Sequence, residues 1–225
     1  MAAESTIVGL KSNIRSRLRG FGPIGLIAIV VILLAGNIVG AALVLIWVWA
    51  SRTPWRALGF VESKRWVSDL AVGVAAGAVF KLLMKAVVMP LLGFEPINAA
   101  YHYLSENTAA LPAMFFMVIV GAGFGEETIW RGFLFERLRT LLGNSRRATA
   151  ATLVVPAILF GVAHYREQGL AGAVQSTTTG LAFGIAFLMS GRIWPVMIAH
   201  AAFDVTAVLM IYLNLEEPIA RLLFR

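Results

Sequence analysis

The chain has no cysteine among its 225 residues. Disulfides, thiolate nucleophiles and cysteine-ligated metals are excluded together. Charge is scarce as well. Asp, Glu, Lys and Arg make up 14% of the sequence, against about 25% in a typical soluble domain. Acids are the rarer sign, 12 against 19 Lys and Arg, and histidine occurs three times. Internal repeats and low-complexity linkers are missing. So is strand-like alternation of polar and apolar residues, which excludes a transmembrane barrel. The remainder is hydrocarbon: 59% of the side chains are apolar and the mean hydropathy is +0.81, whereas soluble domains hold about 45–50% apolar residues by a similar count. This composition predicts an all-α, polytopic transmembrane helical bundle. The formal charge of +7 is read as membrane topology and attraction to anionic lipid rather than nucleic-acid binding.

Six apolar segments follow one another, at 24–49, 67–92, 109–124, 148–163, 170–189 and 193–215. A bilayer core of about 30 Å takes about 20 helical residues, so about six to eight membrane helices are expected. Residues 24–225 then form a single transmembrane domain, with a core at about 109–210. Residues 1–23 do not resemble a cleaved signal peptide. In "STIVGLKSNIRSRLRG", Ile7, Leu10, Ile14 and Leu18 fall on one helical stripe and Lys11, Arg15 and Arg19 on another. Either a basic amphipathic helix on an anionic membrane surface or an ordinary cytoplasmic tail fits that pattern.

Topology is open at this level. Segments 50–66 and 131–147 read as basic loops, and 93–107 has no Lys or Arg. The positive-inside rule puts the first two in the cytoplasm and the third outside. The basic N-terminal stretch lies only one apolar segment before 50–66. Either that tail is outside, or Gly36-Asn37 breaks the segment into a re-entrant pair.

Ionisable residues inside membrane segments are costly and usually face the bundle interior with a task. In "GEETIWRG", Glu127 and Arg131 form an i,i+4 pair in the favourable order. Glu126 points about 100° away on an ordinary helix. His164 ends "LFGVAH", one turn after Phe160. His200 and Asp204 share a face within "IWPVMIAHAAFDV". His102, in the 93–107 loop, reads as a surface residue. Lys81 and Lys85 read as snorkelling to the nearer interface, and Gln175 and Ser176–Thr179 as interhelical hydrogen-bonding groups. "GNSRR" (143–147) reads as a tight turn. Glu126 lies 17 residues before Gly143 and His164 lies 17 after Arg147, so the two can meet if Gly121, Gly123 and Gly125 bend or break the helix before Glu126. Small residues (Gly121, Ala122, Gly123, Gly180, Gly184) allow close helix packing.

"EETIWR", "FGVAH" and "HAAFD" match the patterns Glu-Glu-x-x-x-Arg, Phe-x-x-x-His and His-x-x-x-Asn/Asp. In this order on successive hydrophobic helices, they resemble the CAAX protease and bacteriocin-processing (CPBP or Abi) family of intramembrane endopeptidases, which includes the type II CAAX prenyl endopeptidases. "WRALGFVESKRW" is similar to the short basic loop that often precedes the family's core. The resemblance implies peptide-bond hydrolysis inside the membrane. Glu126 and His164 would activate the water, and His200 and Asp204 would stabilise the oxyanion. Glu127, Arg131 and Phe160 would support them. An ionised Asp204 can only accept hydrogen bonds, so it would have to be protonated or act by orienting His200.

A metal-free glutamate mechanism is expected, with no cofactor. The rival is a zinc site on Glu126, His164 and His200, although no His-Glu-x-x-His motif is present. The implied partners are the lipid bilayer and a peptide or membrane-protein substrate, prenylated or not. The implied location is a bacterial or archaeal inner membrane. Two other classes compete: a non-proteolytic scaffold or bacteriocin-immunity-type protein, and a proton-coupled transporter. Repeated halves with interrupted helices, the usual mark of the latter, are not seen.

Overall fold

The computed structural model describes residues 14–224. Ile7, Leu10 and Lys11 of the basic stripe fall outside them, while residues 14–19 are helical. Among the described residues there is no strand, and the helical bundle expected from composition is what the chain forms.

The first apolar segment is a hairpin. Helices α1 (Pro23–Ala35) and α2 (Asn37–Ser51) are separated at Gly36 and Asn37, whose φ angles of 59° and 28° lie in the left-handed region. At 1.5 Å per residue each arm is about 20 Å long, too short to cross a core of about 30 Å. The two outer ends meet. Trp47 Nε1 donates to the Leu18 carbonyl at 3.2 Å, and the Arg19 guanidinium donates to the Arg52 carbonyl. The re-entrant alternative is therefore the one adopted.

Four helices are long and apolar enough to cross a membrane: α3 (Trp66–Leu91), α4 (Thr108–Leu142), the continuous Arg146–Ser190, and α7 (Trp194–Tyr212). Arg146–Ser190 reverses at Gly169 (φ 62°, ψ −159°), giving antiparallel arms α5 (146–168) and α6 (170–190). A Cβ on Gly161 would collide with Thr177, and one on Gly180 would sit 3.0 Å from the Ala157 Cα, so the arms touch along their length. Seven apolar helices result, five of them of spanning length. The count of six to eight fits the number of helices but not the number of full crossings. Residues 131–142 are also not a loop. They continue α4, and the connection is only the turn between Gly143 (φ 79°) and Ser145, whose hydroxyl caps α5 by accepting from the Ala148 N–H.

The connections sort the chain into two ends. At one end, the Arg137 Nη1 donates to the Arg19 carbonyl at 2.7 Å, Arg192 pairs with Asp69, and the Ile193 N–H donates to the Gly59 carbonyl at 2.9 Å. This end gathers Arg15, Arg17, Arg19, Arg52, Arg56, Lys64, Arg65, Arg137, Arg139, Arg146, Arg147 and Arg192. At the other end, the 92–107 connection meets the α5–α6 reversal through Gln168 and Tyr101 (3.3 Å). It meets the C-terminal stretch through Ser105 and Asn214 (2.5 Å) and through the Glu106 N–H and the Tyr212 carbonyl (3.2 Å). Arg166, Arg221 and Lys85 are the described Lys and Arg there.

Lys81 and Lys85 do not snorkel. Both are buried. Lys81 donates to Gln175 of α6 at 3.2 Å, which bears out Gln175 as an interhelical partner. Lys85 pairs with Glu216 at 2.7 Å and donates to the Pro96 carbonyl. Stems of this length reach an interface only if nothing nearer accepts their protons, and here acceptors lie within the bundle. The Thr177, Thr178 and Thr179 hydroxyls bond carbonyls of their own helix rather than a neighbour, the usual local alternative for a hydroxyl in a helix.

Apolar burial gives helices little drive to associate within lipid, so van der Waals fit decides their packing. Helix α7 is clamped between two glycine faces. A Cβ on Gly77 of α3 would collide with the Ala199 carbonyl oxygen, and one on Gly123 of α4 would sit 2.8 Å from the Ala201 Cβ. Replacing Gly77 by Ala should destabilise the bundle by about 1–3 kcal/mol through overpacking, lowering its melting temperature in detergent. Gly22→Ala, with nothing within 4 Å, should stay within about 0.5 kcal/mol of the parent. Equal melting temperatures for the two variants would refute the clamp.

Candidate active site

The acid pair sits where α4 changes its winding. Residues Met117–Glu126 and Thr128–Leu134 are π-helical, with i→i+5 bonds that widen the turn, as often happens at functional sites. The stretch stays helical, and none of Gly121, Gly123 and Gly125 has a left-handed φ. The helix is therefore not broken before Glu126, and the widening is what changes its register. The consequence is that Glu126 and Glu127 both serve the interior. Glu127 is fully buried, and Glu126 is 8% exposed.

Glu127 is the hub. Its Oε1 accepts from Arg131 Nη1 at 2.7 Å and from His200 Nδ1 at 2.6 Å. Its Oε2 is buried without a partner among the described residues. Arg131 lies over the Phe160 ring at 4.9 Å and the Phe183 ring at 5.7 Å, and its Nη2 points to the Gly180 carbonyl at 3.4 Å. One buried guanidinium thus joins α4 to α5 and α6, and one carboxylate joins α4 to α7.

Because Nδ1–H of His200 is committed to Glu127, Nε2 is the nitrogen presented to the reaction space. It lies 3.4 Å from Asp204 Oδ2 and 3.9 Å from Glu126 Oε2. His164 is fixed in the same way, since its Nδ1 bonds the Phe160 carbonyl at 2.8 Å. A carbonyl only accepts, so Nδ1 carries the proton, and the Nε2 of the neutral ring is an acceptor. The Phe160 ring packs edge-on against His164 at 4.5 Å.

Glu126, His164, His200 and Asp204 all line one cavity of about 350 Å³, together with Phe160. The expected meeting of Glu126 and His164 is thus a shared cavity wall. Glu127 and Arg131 lie behind this wall. His102 is apart from it, exposed on the 92–107 connection.

Three further wall residues were not read from sequence as site members. Lys81 reaches the cavity from α3, and its ammonium also lies 4.8 Å from the Phe203 ring. The signal for it was present, a lysine in mid-span, but snorkelling absorbed it. Asn37 lines the cavity from the tip of the re-entrant hairpin, where Gly125 leaves room: a Cβ there would sit 3.0 Å from the Asn37 carbonyl oxygen. Tyr101 comes from the connection. Burial pushes its phenol up to about 12, so it remains a neutral hydroxyl at ordinary pH. A second cavity, of about 560 Å³ beneath residues 94–100, adjoins the first across Lys81, Gln168 and Gln175.

Chemically, the site sets two acceptors for a water proton (Glu126 and the His164 Nε2) against a histidine Nε2 and a lysine ammonium. Among the described residues, no group of three His, Asp or Glu side chains stands so as to hold a metal ion.

No curated protein and no solved structure matches the chain. Residues 108–206, from the first turn of α4 to the turn of α7 that carries Asp204, match the family model of the type II CAAX prenyl endopeptidases, Rce1-like.

Proposed function

We propose that the protein is an intramembrane endopeptidase that hydrolyses peptide bonds with a water activated by Glu126 and His164. The observation that carries this reading is the convergence of Glu126, His164, His200 and Asp204 on one cavity within the bundle. All four belong to the segment matched by the endopeptidase family model.

The steps follow from the placement of donors and acceptors. A water held between Glu126 and the His164 Nε2 gives a proton to Glu126 as its oxygen bonds to the substrate carbonyl carbon. The carbonyl π electrons move to oxygen and form a tetrahedral oxyanion. Preorganised donors aimed at that oxygen stabilise it. His200, in its doubly protonated form, donates from Nε2, beside which Asp204 lies, while Glu127 holds the far side of the ring at Nδ1. Glu126 then passes its proton to the departing nitrogen as the C–N bond breaks. Lys81 is the second donor in this scheme. It supplies to the oxyanion what a carboxylate at Asp204 cannot, and Gln175 holds its ammonium at the wall.

Glu126→Gln should lower kcat by at least about 10²-fold, within the range for a lost general base, and leave the melting temperature unchanged. His164→Ala should behave similarly. The measurement is cleavage of a quenched fluorescent peptide library by detergent-purified protein. Full activity in either variant would sink the mechanism. The same assay with a chelator should show no loss. Loss to chelator with recovery on zinc would make these residues metal ligands instead.

Lys81→Met should lower kcat by about 10²-fold, the scale of one lost oxyanion donor, with KM little changed. A change confined to KM would assign Lys81 to substrate binding.

Arg131→Ala should be a folding defect rather than a catalytic one. It leaves the Glu127 carboxylate buried with one cation fewer, at a cost of about 3–5 kcal/mol. The expected result is loss of the monodisperse peak on size exclusion in detergent. A well-folded Arg131→Ala protein would show that His200 alone suffices to hold Glu127.

A further inference from the structure

Resting on the peptidase reading above, we propose that the site opens on the membrane face turned away from the cytoplasm. Its substrates would then be peptide segments presented at that outer leaflet, not cytoplasmic tails.

Three observations carry this orientation. The first is the charge distribution. Twelve Lys and Arg of the described residues lie at one end of the bundle and three (Lys85, Arg166 and Arg221) at the other, Lys85 being paired with Glu216. That asymmetry sits in short connections and helix ends, where the positive-inside rule applies, and it puts the crowded end in the cytoplasm. The hairpin removes the one obstacle to the assignment, because it returns the basic stretch around Arg19 to the same end as Arg52.

The second is the position of the cavity. Its polar rim comes from Asn98, Tyr101, Glu167 and Gln168, all at the end poor in Lys and Arg. None of its wall comes from residues 50–66, 137–147 or 190–193 at the basic end.

The third is depth. The hairpin arms enter from the basic end and are about 20 Å long. Asn37 at their tip abuts Gly125, next to Glu126. In a core of about 30 Å this leaves about 10 Å between Glu126 and the opposite surface, a gap that the 350 Å³ cavity bridges. The adjoining 560 Å³ cavity beneath residues 94–100 extends the same path. A short unfolded peptide arriving from the outer leaflet meets Glu126 without passing the basic end.

The chain has no cysteine, so a single introduced thiol reports its own side of the membrane. His102→Cys marks the exposed 92–107 connection and Asn144→Cys the α4–α5 turn. Neither touches the site or removes a Lys or Arg. In intact cells of a bacterial host, a membrane-impermeant maleimide should label the first at once, and the second only after permeabilisation. The reverse pattern, or equal labelling of both in intact cells, overturns the orientation and leaves the peptidase reading intact. Right-side-out membrane vesicles should cleave an added soluble quenched peptide without detergent, whereas inside-out vesicles should do so only once permeabilised. Cleavage by inside-out vesicles alone overturns the outer-leaflet substrate. Failure of both preparations, and of detergent-solubilised protein, with the labelling as expected would remove the peptidase reading while the orientation stands.

Discussion

A single carboxylate oxygen organises this molecule. Glu127 Oε1 accepts from Arg131 at 2.7 Å and from His200 at 2.6 Å, with Glu127 and Arg131 fully buried. An isolated charge in such a medium costs several kcal/mol, and the pairing offsets this only if each partner is held in position. Arg131 is held by the aromatic faces of Phe160 and Phe183, and His200 by the glycine-lined seat of α7 against α3 and α4. Each of these contacts belongs to a different helix. The register of α4 against α5, α6 and α7 is therefore tied to one ion cluster. The reacting groups inherit their positions from it, with Nε2 of His200 facing outward because Nδ1 faces Glu127.

The widened winding of α4 is what lets adjacent acids do separate jobs. On a regular helix, consecutive residues diverge by about 100°, and one of the pair would face away from His200. Through the π-helical stretch both carboxylates reach the same imidazole, one at each nitrogen, at 2.6 and 3.9 Å. The closer one is also bound by Arg131 and serves as a fixed anchor. The farther one keeps an open side toward the cavity.

The sequence was most informative where chemistry is rare. In a chain with 14% charged residues, Glu126, Glu127, Arg131, His164, His200 and Asp204 stood out against the hydrocarbon, and motif order made their grouping legible. Counting from the 143–147 turn put Glu126 and His164 at one level, and both line one cavity. Less visible were features that depend on neighbours. Lys81 and Lys85 looked free to snorkel because their acceptors, Gln175 and Glu216, lie 94 and 131 residues away along the chain. The π-helical winding left no trace that a residue pattern could show. The run 131–147 looked like a loop because its arginines mask a helix that ends only at Leu142.

The hairpin settles more than topology. Had residues 24–49 crossed the membrane, the arginines at 15–19 and those at 52–65 would lie on opposite sides, and the charge asymmetry would partly cancel. By turning back at Gly36, the chain keeps every basic connection at one end and leaves the other nearly free of Lys and Arg. The same turn fixes the depth of Asn37, because an arm of 13 residues can reach the level of Gly125 and no farther. A half-depth element therefore does two things that a full span could not. It reinforces the orientation signal, and it stops short of the outer half of the bundle, where the cavity wall is made by α3 to α7 together with the 92–107 connection. Orientation and access are thus consequences of one backbone reversal, at the two residues where the chain takes up left-handed φ angles.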